Sequence, residues 1–433
     1  MLFSQGSMFQ RFRAMAMAAP GLPAIIEAIS GRTVSRSELL GRAEELATNI
    51  REGELVALQL PNSLDFVATI LAVMKRRAIA MPIDRDASAA EVEGIMTHFG
   101  AQPELPPDAR IIKLTSGSTG KPKGIVTSEQ NLIADCENIC ASMDIGPDDI
   151  NFGAIPLSHS YGFSNLVMPL ITQGTALVIS NSYLPQTIID FCNRYQCTIL
   201  PGIPMMFEHL ASTERADGSF ATVRTFISAG APLPPSTSRR FRERFGKSIH
   251  SFYGCSECGG IAYDREGGSI ERGTVGRAME GVTLSTRSGR LIVHSASAAI
   301  GYLNDAAHFD AFEPGKFVTD DLVELRDGEV RLTGRVSDLI NIAGKKVNPR
   351  EIEQVILQIE GVRQVKVYGE PAGARGDVVA AAIVANPEIT REDVRAFCRE
   401  RLSIHKVPRI VKLIESMPVD DRGKVSRAAL AEL

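Results

Sequence analysis

No apolar run among the 433 residues approaches the roughly 20 needed to cross a bilayer as a helix, so a membrane span is not expected. Nor is charge of one sign in excess. Lys and Arg number 47 against 51 Asp and Glu, for a net charge of −4, and without a global basic field nucleic acid is not an expected partner. Seven cysteines, an odd count spread through a long chain, give no disulfide framework. Cys255-Ser256-Glu257-Cys258 has C-x-x-C spacing, yet no second C-x-x-C and no nearby His pair completes a tetrahedral zinc site, so thiols are expected there. Internal repeats and low-complexity segments are missing too. Arg11 and Arg13 precede a short apolar stretch, Ala14–Ala19, but Pro20 breaks it, and a cytoplasmic location is expected rather than secretion. With 44% hydrophobic residues the chain can bury sizeable cores, and its length predicts two or three domains.

What is present is concentrated in one stretch, Thr115-Ser116-Gly117-Ser118-Thr119-Gly120-Lys121-Pro122-Lys123-Gly124. Its three Gly and four Ser/Thr let backbone N–H groups and hydroxyls approach phosphate oxygens closely, while Lys121 and Lys123 bring positive charge. ATP is the expected ligand. A nucleotide-hydrolase P-loop would need G-x-x-x-x-G-K-[ST]. Here Thr115 stands where the first Gly belongs and Pro122 follows Lys121, so that pattern fails twice. Ile111–Leu114 reads as a strand entering the loop and Ile125–Thr127 as one leaving it. A helix follows, with Thr127 and Gln130 at capping-box spacing and Leu132, Ile133, Cys136, Ile139, Cys140 and Met143 on one face.

Strands and helices alternate over residues 30–260. Leu55–Leu58 reads as a strand, and Asn62 with Asp65 caps a helix carrying Phe66, Ile70, Val73 and Met74. Ala176–Ile179, helix Gln186–Tyr195 and Thr198–Leu200 form a further unit. Arg224–Ile227, helix Ser236–Phe245 and Ile249–Phe252 form another. Such β-α-β repetition predicts an α/β fold of parallel sheets covered by helices, with ligands at the carboxyl ends of strands. Beyond about residue 338 the pattern changes. Asn348 caps a helix with Pro349 at its first position and Ile352, Val355, Ile356 and Ile359 as its stripe; strands at Val362–Tyr368, Val378–Val384 and Ile410–Leu413 and a helix at Arg391–Leu402 complete a small α+β domain. The predicted division is a large N-terminal domain, 1–337, and a small C-terminal domain, 338–433.

The phosphate loop is similar, nearly letter for letter, to the signature of the acyl-adenylate-forming superfamily of acyl- and aryl-CoA synthetases, peptide-synthetase adenylation domains and luciferases. Pro156-Leu157-Ser158-His159-Ser160-Tyr161-Gly162-Phe163, Ser228-Ala229-Gly230-Ala231-Pro232-Leu233 and Tyr253-Gly254-Cys255-Ser256-Glu257 resemble further blocks of that family. So do Thr319-Asp320-Asp321, Gly334-Arg335-Val336-Ser337-Asp338 and Arg422-Gly423-Lys424. Order and rough spacing agree from about residue 20 onward. One departure is the stretch between Pro82 and Thr115, only 32 residues long and shorter than the family's, which implies an abbreviated lobe whose edge a partner or second copy would cap.

The resemblance implies activation of a carboxylic acid by ATP and Mg²⁺ to acyl-AMP and pyrophosphate, then transfer to a thiol. CoA is the leading acceptor and an acyl carrier protein the alternative; a non-catalytic nucleotide-binding subunit is a further alternative, motivated by the short lobe and by Asp320 where the family has Gly. It assigns Lys424 as the mobile lysine bridging carboxylate and α-phosphate, and Glu257, helped by Thr119, as the Mg²⁺ ligand. Thr115–Lys121, Lys123, Gly230, Ala231, Pro232, Tyr253, Gly254 and Ser256 fall in the nucleotide site, with Asp321 on the ribose and Arg335 near the α-phosphate. His159, Tyr161, Ser228, Gly230 and Gly259 line the acid's pocket, and Asp338 is the hinge. Amino-acid-activating relatives place an Asp near Tyr161; residues 157–189 contain no Asp or Glu, and an uncompensated buried ammonium is costly, so the expected acid lacks an α-amino group. Lys345 and Lys346, beside Gly344, are expected near the thiol acceptor's entrance.

Overall fold

The computed structural model describes residues 6–99, 105–116, 122–213, 218–303, 311–342, 345–371, 377–418 and 430. Its contacts fall into two compact units. One comprises Met1–Ser285, Ile292–Thr319 and Arg326–Val330, the other Thr286–Leu291, Asp320–Leu325 and Arg331–Leu433.

The first unit is α/β, as predicted. Strands Ala176–Ile179, Ile150–Gly153, Ile199–Gly202, Thr225–Ser228 and Ile249–Cys255 lie side by side in that order, all parallel. Most are four residues long and buried throughout, because helices cover both faces and leave no solvent side for polar residues to occupy. Helix Pro235–Phe245 shows why one such cover forms. Proline fills its first turn, Gly246 ends it in the left-handed region, and Phe241 and Phe245, four residues apart, meet edge-on or tilted with Phe226 and each other at 5.1 and 4.8 Å.

A second sheet in this unit runs Leu55–Leu58, Ile79–Pro82, Ala109–Ser116, Pro122–Ser128 and Gly301–Leu303. Its first three strands are parallel and its last two antiparallel. The stretch after Pro82 supplies helix Ala89–Phe99 ahead of strand Ala109–Ser116, the first strand of the hairpin.

Two helix starts differ from the sequence reading. Ser128 with Asn131, not Thr127 with Gln130, makes the capping box of helix Glu129–Met143: the Ser128 hydroxyl accepts from the Asn131 N–H and the Asn131 side chain from the Ser128 N–H. Helix Leu64–Lys75 is capped by Ser63, not Asn62. The Asn62 side chain is spent elsewhere: its Nδ2 donates to the Ile155 carbonyl at 2.9 Å and its Oδ1 accepts from the Leu157 N–H at 2.8 Å.

In the second unit helix Pro349–Ile356 is capped by Asn348, as its sequence predicts, and packs Ile352 and Ile356 with Val367, Val379, Ala381, Ile383, Val394 and Cys398. Strand Asp377–Ala385 lies between Val362–Pro371, antiparallel, and Ile410–Leu413, parallel. Strands Ile340–Ile342 and Lys345–Val347, not foreseen from the sequence, pair antiparallel.

Candidate active site

Side-chain alternation in the hairpin sorts its residues onto two faces. Ile112, Gly124, Val126 and Leu303 face one way, into a core with Phe99. A Cβ on Gly124 would stand 3.0 Å from the Phe99 ring, so this position favours glycine for close packing. The opposite face carries Lys113, Thr115, Lys123, Ile125 and Tyr302, by the registers Thr115↔Lys123, Lys113↔Ile125 and Tyr302↔Ile125. Lys113 is 8% exposed. Two lysines and a hydroxyl therefore share the surface just before and after residues 117–121, which carry the expected Gly117, Ser118, Thr119, Gly120 and Lys121 and lie outside the described residues.

Tyr302 ties this face to Glu257. The Lys123 ammonium sits 4.8 Å from the Tyr302 ring centroid, and the Tyr302 hydroxyl donates to Glu257 Oε1 at 2.8 Å. The Ala299 N–H donates to the Glu257 carbonyl at 2.8 Å and the Ile300 N–H to the Val126 carbonyl at 2.9 Å, so one short segment bridges the Glu257 turn and the phosphate hairpin. Among the described residues no hydrogen bond engages Glu257 Oε2. Mg²⁺ travelling with ATP needs one or two protein oxygens besides phosphate and water, and this carboxylate fits that demand. Tyr302 was missed in the sequence because only strand register brings it opposite Ile125.

His159 and Tyr161 follow the carboxyl end of strand Ile150–Gly153. Gly162, in the short helix Ser160–Gly162, fits because a Cβ there would come within 2.1 Å of the Pro156 carbonyl oxygen. The Tyr161 hydroxyl donates to the Ile227 carbonyl at 3.1 Å, its ring lies 5.7 Å from Phe252, and burial holds its phenol well above the ordinary range. Ser160 Oγ donates to Ser256 Oγ at 2.7 Å, joining this segment to the Glu257 turn. His159 Nε2 stands 2.9 Å from Asp84 Oδ2, with each side chain 29% exposed. Asp84, two residues past strand Ile79–Pro82, is an acid beside His159 that lies outside the acid-free stretch 157–189. The rule that ligands gather at carboxyl ends of strands would have found it.

Gly230, Ala231 and Pro232 are exposed just past the buried strand Thr225–Ser228. Gly230 has φ +90°, and a Cβ built there meets only Ile203 Cγ2 at 3.9 Å, leaving the open space a flat ring needs. The Ser228 hydroxyl is buried without a hydrogen-bond partner among the described residues. Tyr253 is half-buried and pairs with Ala262 inside strand Ile249–Cys255, and Gly254 is exposed beside it. Gly259 faces away from any such space. Its φ is +71°, and a Cβ there would come within 2.0 Å of Asp135 Oδ1, whose carboxylate is 3% exposed and accepts from Gly260 N–H and Ser164 Oγ. Close packing against Asp135 is itself a reason for glycine at this position. Gly259→Ala is expected to cost about 2 kcal/mol or more from strained backbone and overpacking, read as a lowered denaturation midpoint.

In the second unit, Asp321 is 7% exposed and accepts from Arg335 Nε at 2.7 Å. Asp320 is exposed and pairs with Arg290 at 3.3 Å, so of the two neighbouring carboxylates Asp321 is the buried one. Asp338 ends the short helical turn Val336–Asp338. Lys424 and Gly344 lie outside the described residues.

Comparison with known proteins agrees with this geometry. Residues 12–105 and 101–288 match the family model described as AMP-binding enzyme, and residues 351–424 that of the AMP-binding enzyme C-terminal domain. The first match breaks within the short stretch after Pro82. A probable CoA ligase of Humulus lupulus, CCL9, is 25% identical over 464 aligned residues, covering 89% of this chain and 88% of its own. Oxalate–CoA ligase of Arabidopsis thaliana is 25% identical, with 88% and 89% covered. The crystal structure of ATP-bound MatB from Rhodopseudomonas palustris superimposes with a TM-score of 0.87 at 23% identity, over 98% of both chains. A lysine-bearing hairpin, a carboxylate turn bridged to it and a match to the family over most of the chain converge: this protein belongs to the AMP-binding enzyme family and has the α/β fold of adenylate-forming enzymes.

Proposed function

We propose that the protein uses ATP and Mg²⁺ to convert a small carboxylic acid without an α-amino group into its acyl-adenylate, releasing pyrophosphate, and then passes the acyl group to the thiol of CoA. The observation that carries this reading is the bridge from Lys123 through Tyr302 to Glu257. One tyrosine holds a lysine ammonium over its ring and a carboxylate at its hydroxyl, which supports reading the first as a phosphate cation and the second as the metal's ligand. Attack of a carboxylate oxygen on the α-phosphorus is catalysed mainly by positioning and charge stabilisation, and those are the services these groups offer. ATP and Mg²⁺ supply the activated phosphorus and its charge neutralisation. Glu257 Oε2 would hold the metal, with Thr119 assisting.

The adenine lies between Tyr253 and the Gly230–Pro232 backbone, and Asp321, oriented by Arg335, accepts from the ribose hydroxyls. His159, steadied by Asp84, faces the acid. Because His159 already engages the Asp84 carboxylate, a substrate ammonium would have to displace that imidazole, which favours acids lacking an amino group. The segment 338–433 swings about Asp338 between the two half-reactions, exchanging Lys424 for the neighbourhood of Gly344, Lys345 and Lys346.

Acid-dependent exchange of labelled pyrophosphate into ATP, run across a panel of acids, is expected to show activity, with AMP as the nucleotide product. ADP from any active acid would overturn the mechanism. No exchange with any acid, alongside intact ATP binding, would instead make the chain a nucleotide-binding subunit. Adding CoA or a carrier domain to the active pair decides the acceptor.

A further inference from the structure

The turn that bears Glu257 is flanked by thiols whose sulfurs stand 3.3 Å apart, Cys255 and Cys258. Of the seven cysteines Cys255 alone is partly exposed; Cys136, Cys140, Cys192, Cys197, Cys258 and Cys398 are buried. A disulfide has an S–S bond of about 2.05 Å, so these two sulfurs need to close by roughly 1.3 Å to form one. Where that movement falls is set by the anchors around the turn. Ser297 Oγ holds the Cys258 carbonyl at 2.7 Å, and Gly259 is wedged against Asp135, so the Cys258 end is fixed. Closure therefore has to shift the intervening Ser256 and Glu257, and so works against the contacts that hold them: Ser160 on Ser256, and Ala299 and Tyr302 on Glu257.

We propose that Cys255 and Cys258 form a reversible dithiol–disulfide couple, and that its oxidation draws Glu257 away from Tyr302 and weakens binding of MgATP. The oxidant is a low-molecular-weight disulfide. The more accessible Cys255 sulfur, as its thiolate, attacks one sulfur of that disulfide and releases one small thiolate. The Cys258 thiol then loses its proton and displaces the second small thiolate from the Cys255 sulfur. Two cysteine thiols are oxidised, the small disulfide is reduced to two thiols, and the two cysteine protons end on them.

The effect on MgATP rests on the reading of Glu257 as the metal's ligand. The test therefore uses readouts that need no acid substrate. The full chain is equilibrated in mixtures of oxidised and reduced glutathione, digested without reductant for mass mapping, and titrated with MgATP by calorimetry in each redox state. The expected result is a Cys255–Cys258 disulfide with a mass lower by two hydrogen atoms. The MgATP Kd should rise by about 10-fold or more, the scale of losing one charge-assisted contact, and return on reduction. Cys255→Ser and, separately, Cys258→Ala should show no redox response. The proposal is overturned if no such disulfide is mapped, if it forms with other cysteines, or if both redox states bind MgATP equally. Pyrophosphate exchange by the reduced protein is measured in parallel. Its absence with every acid would bring down the carboxylate-activation reading, while the disulfide map and MgATP affinity still decide the couple.

Discussion

Lys424→Ala is expected to abolish nearly all adenylate formation, a loss of about 10²-fold or more, because charge developing at the α-phosphate loses its mobile cation. The expectation comes from sequence: Asp420-Asp421-Arg422-Gly423-Lys424 closes the stretch that matches the family's C-terminal domain, residues 351–424. Thioester formation from a supplied acyl-adenylate should survive, since in the alternation proposed above the second half-reaction proceeds with that lysine carried away. Asp338→Pro should give the opposite pattern. It leaves adenylation intact and blocks the φ/ψ change a hinge has to absorb. The two half-reactions are measured separately, by pyrophosphate exchange and by single-turnover transfer to the thiol. If both variants impair both steps equally, domain alternation is wrong for this protein and Lys424 serves both steps.

Glu257→Ala should lower turnover by about 10²-fold, the scale of removing one preorganised electrostatic group, with the thermal midpoint unchanged. The structure adds a finer expectation through Tyr302. Tyr302→Phe keeps the carboxylate and the ring over Lys123 but removes the hydroxyl that donates to Oε1 at 2.8 Å. Its cost should be near 5- to 10-fold, about one hydrogen bond to a charged group, and should appear chiefly as a raised Mg²⁺ requirement. Turnover of Glu257→Ala that stays near normal at limiting Mg²⁺ would show that a different residue holds the metal.

How far the sequence reached follows from which signals are local. Periodicity and capping chemistry located the strands and helices around the glycine-rich stretch, in two β-α-β units and in the small C-terminal unit, since burial of Phe241 with Phe245 or of Ile352 with Ile356 is written in spacing of four. The helices before residue 48 and most strands between Gly259 and Arg335 were not read. The errors at Thr127 and Asn62 were of one residue each. Two adjacent polar side chains compete for one cap, and for Asn62 the choice depends on what else needs a hydrogen bond. The second glycine of the Gly259-Gly260 pair gave no hint that the first sits against a buried Asp135, 124 positions earlier in the chain.

The sequence by itself determined the family: hydroxyls, glycines and lysines crowded into ten residues suit phosphate, and their order with the later blocks marks the AMP-binding enzymes. Only the tertiary structure decided which groups stand together. Asp84 reaches His159 across 75 positions, Tyr302 reaches Glu257 across 45, and Ser160 reaches Ser256 across 96. Those pairings depend on strand register and on which strand ends share an edge. Register is fixed by the packing of whole sheets, such as Leu303 and Gly124 against Phe99, and that is a property no local window of sequence contains.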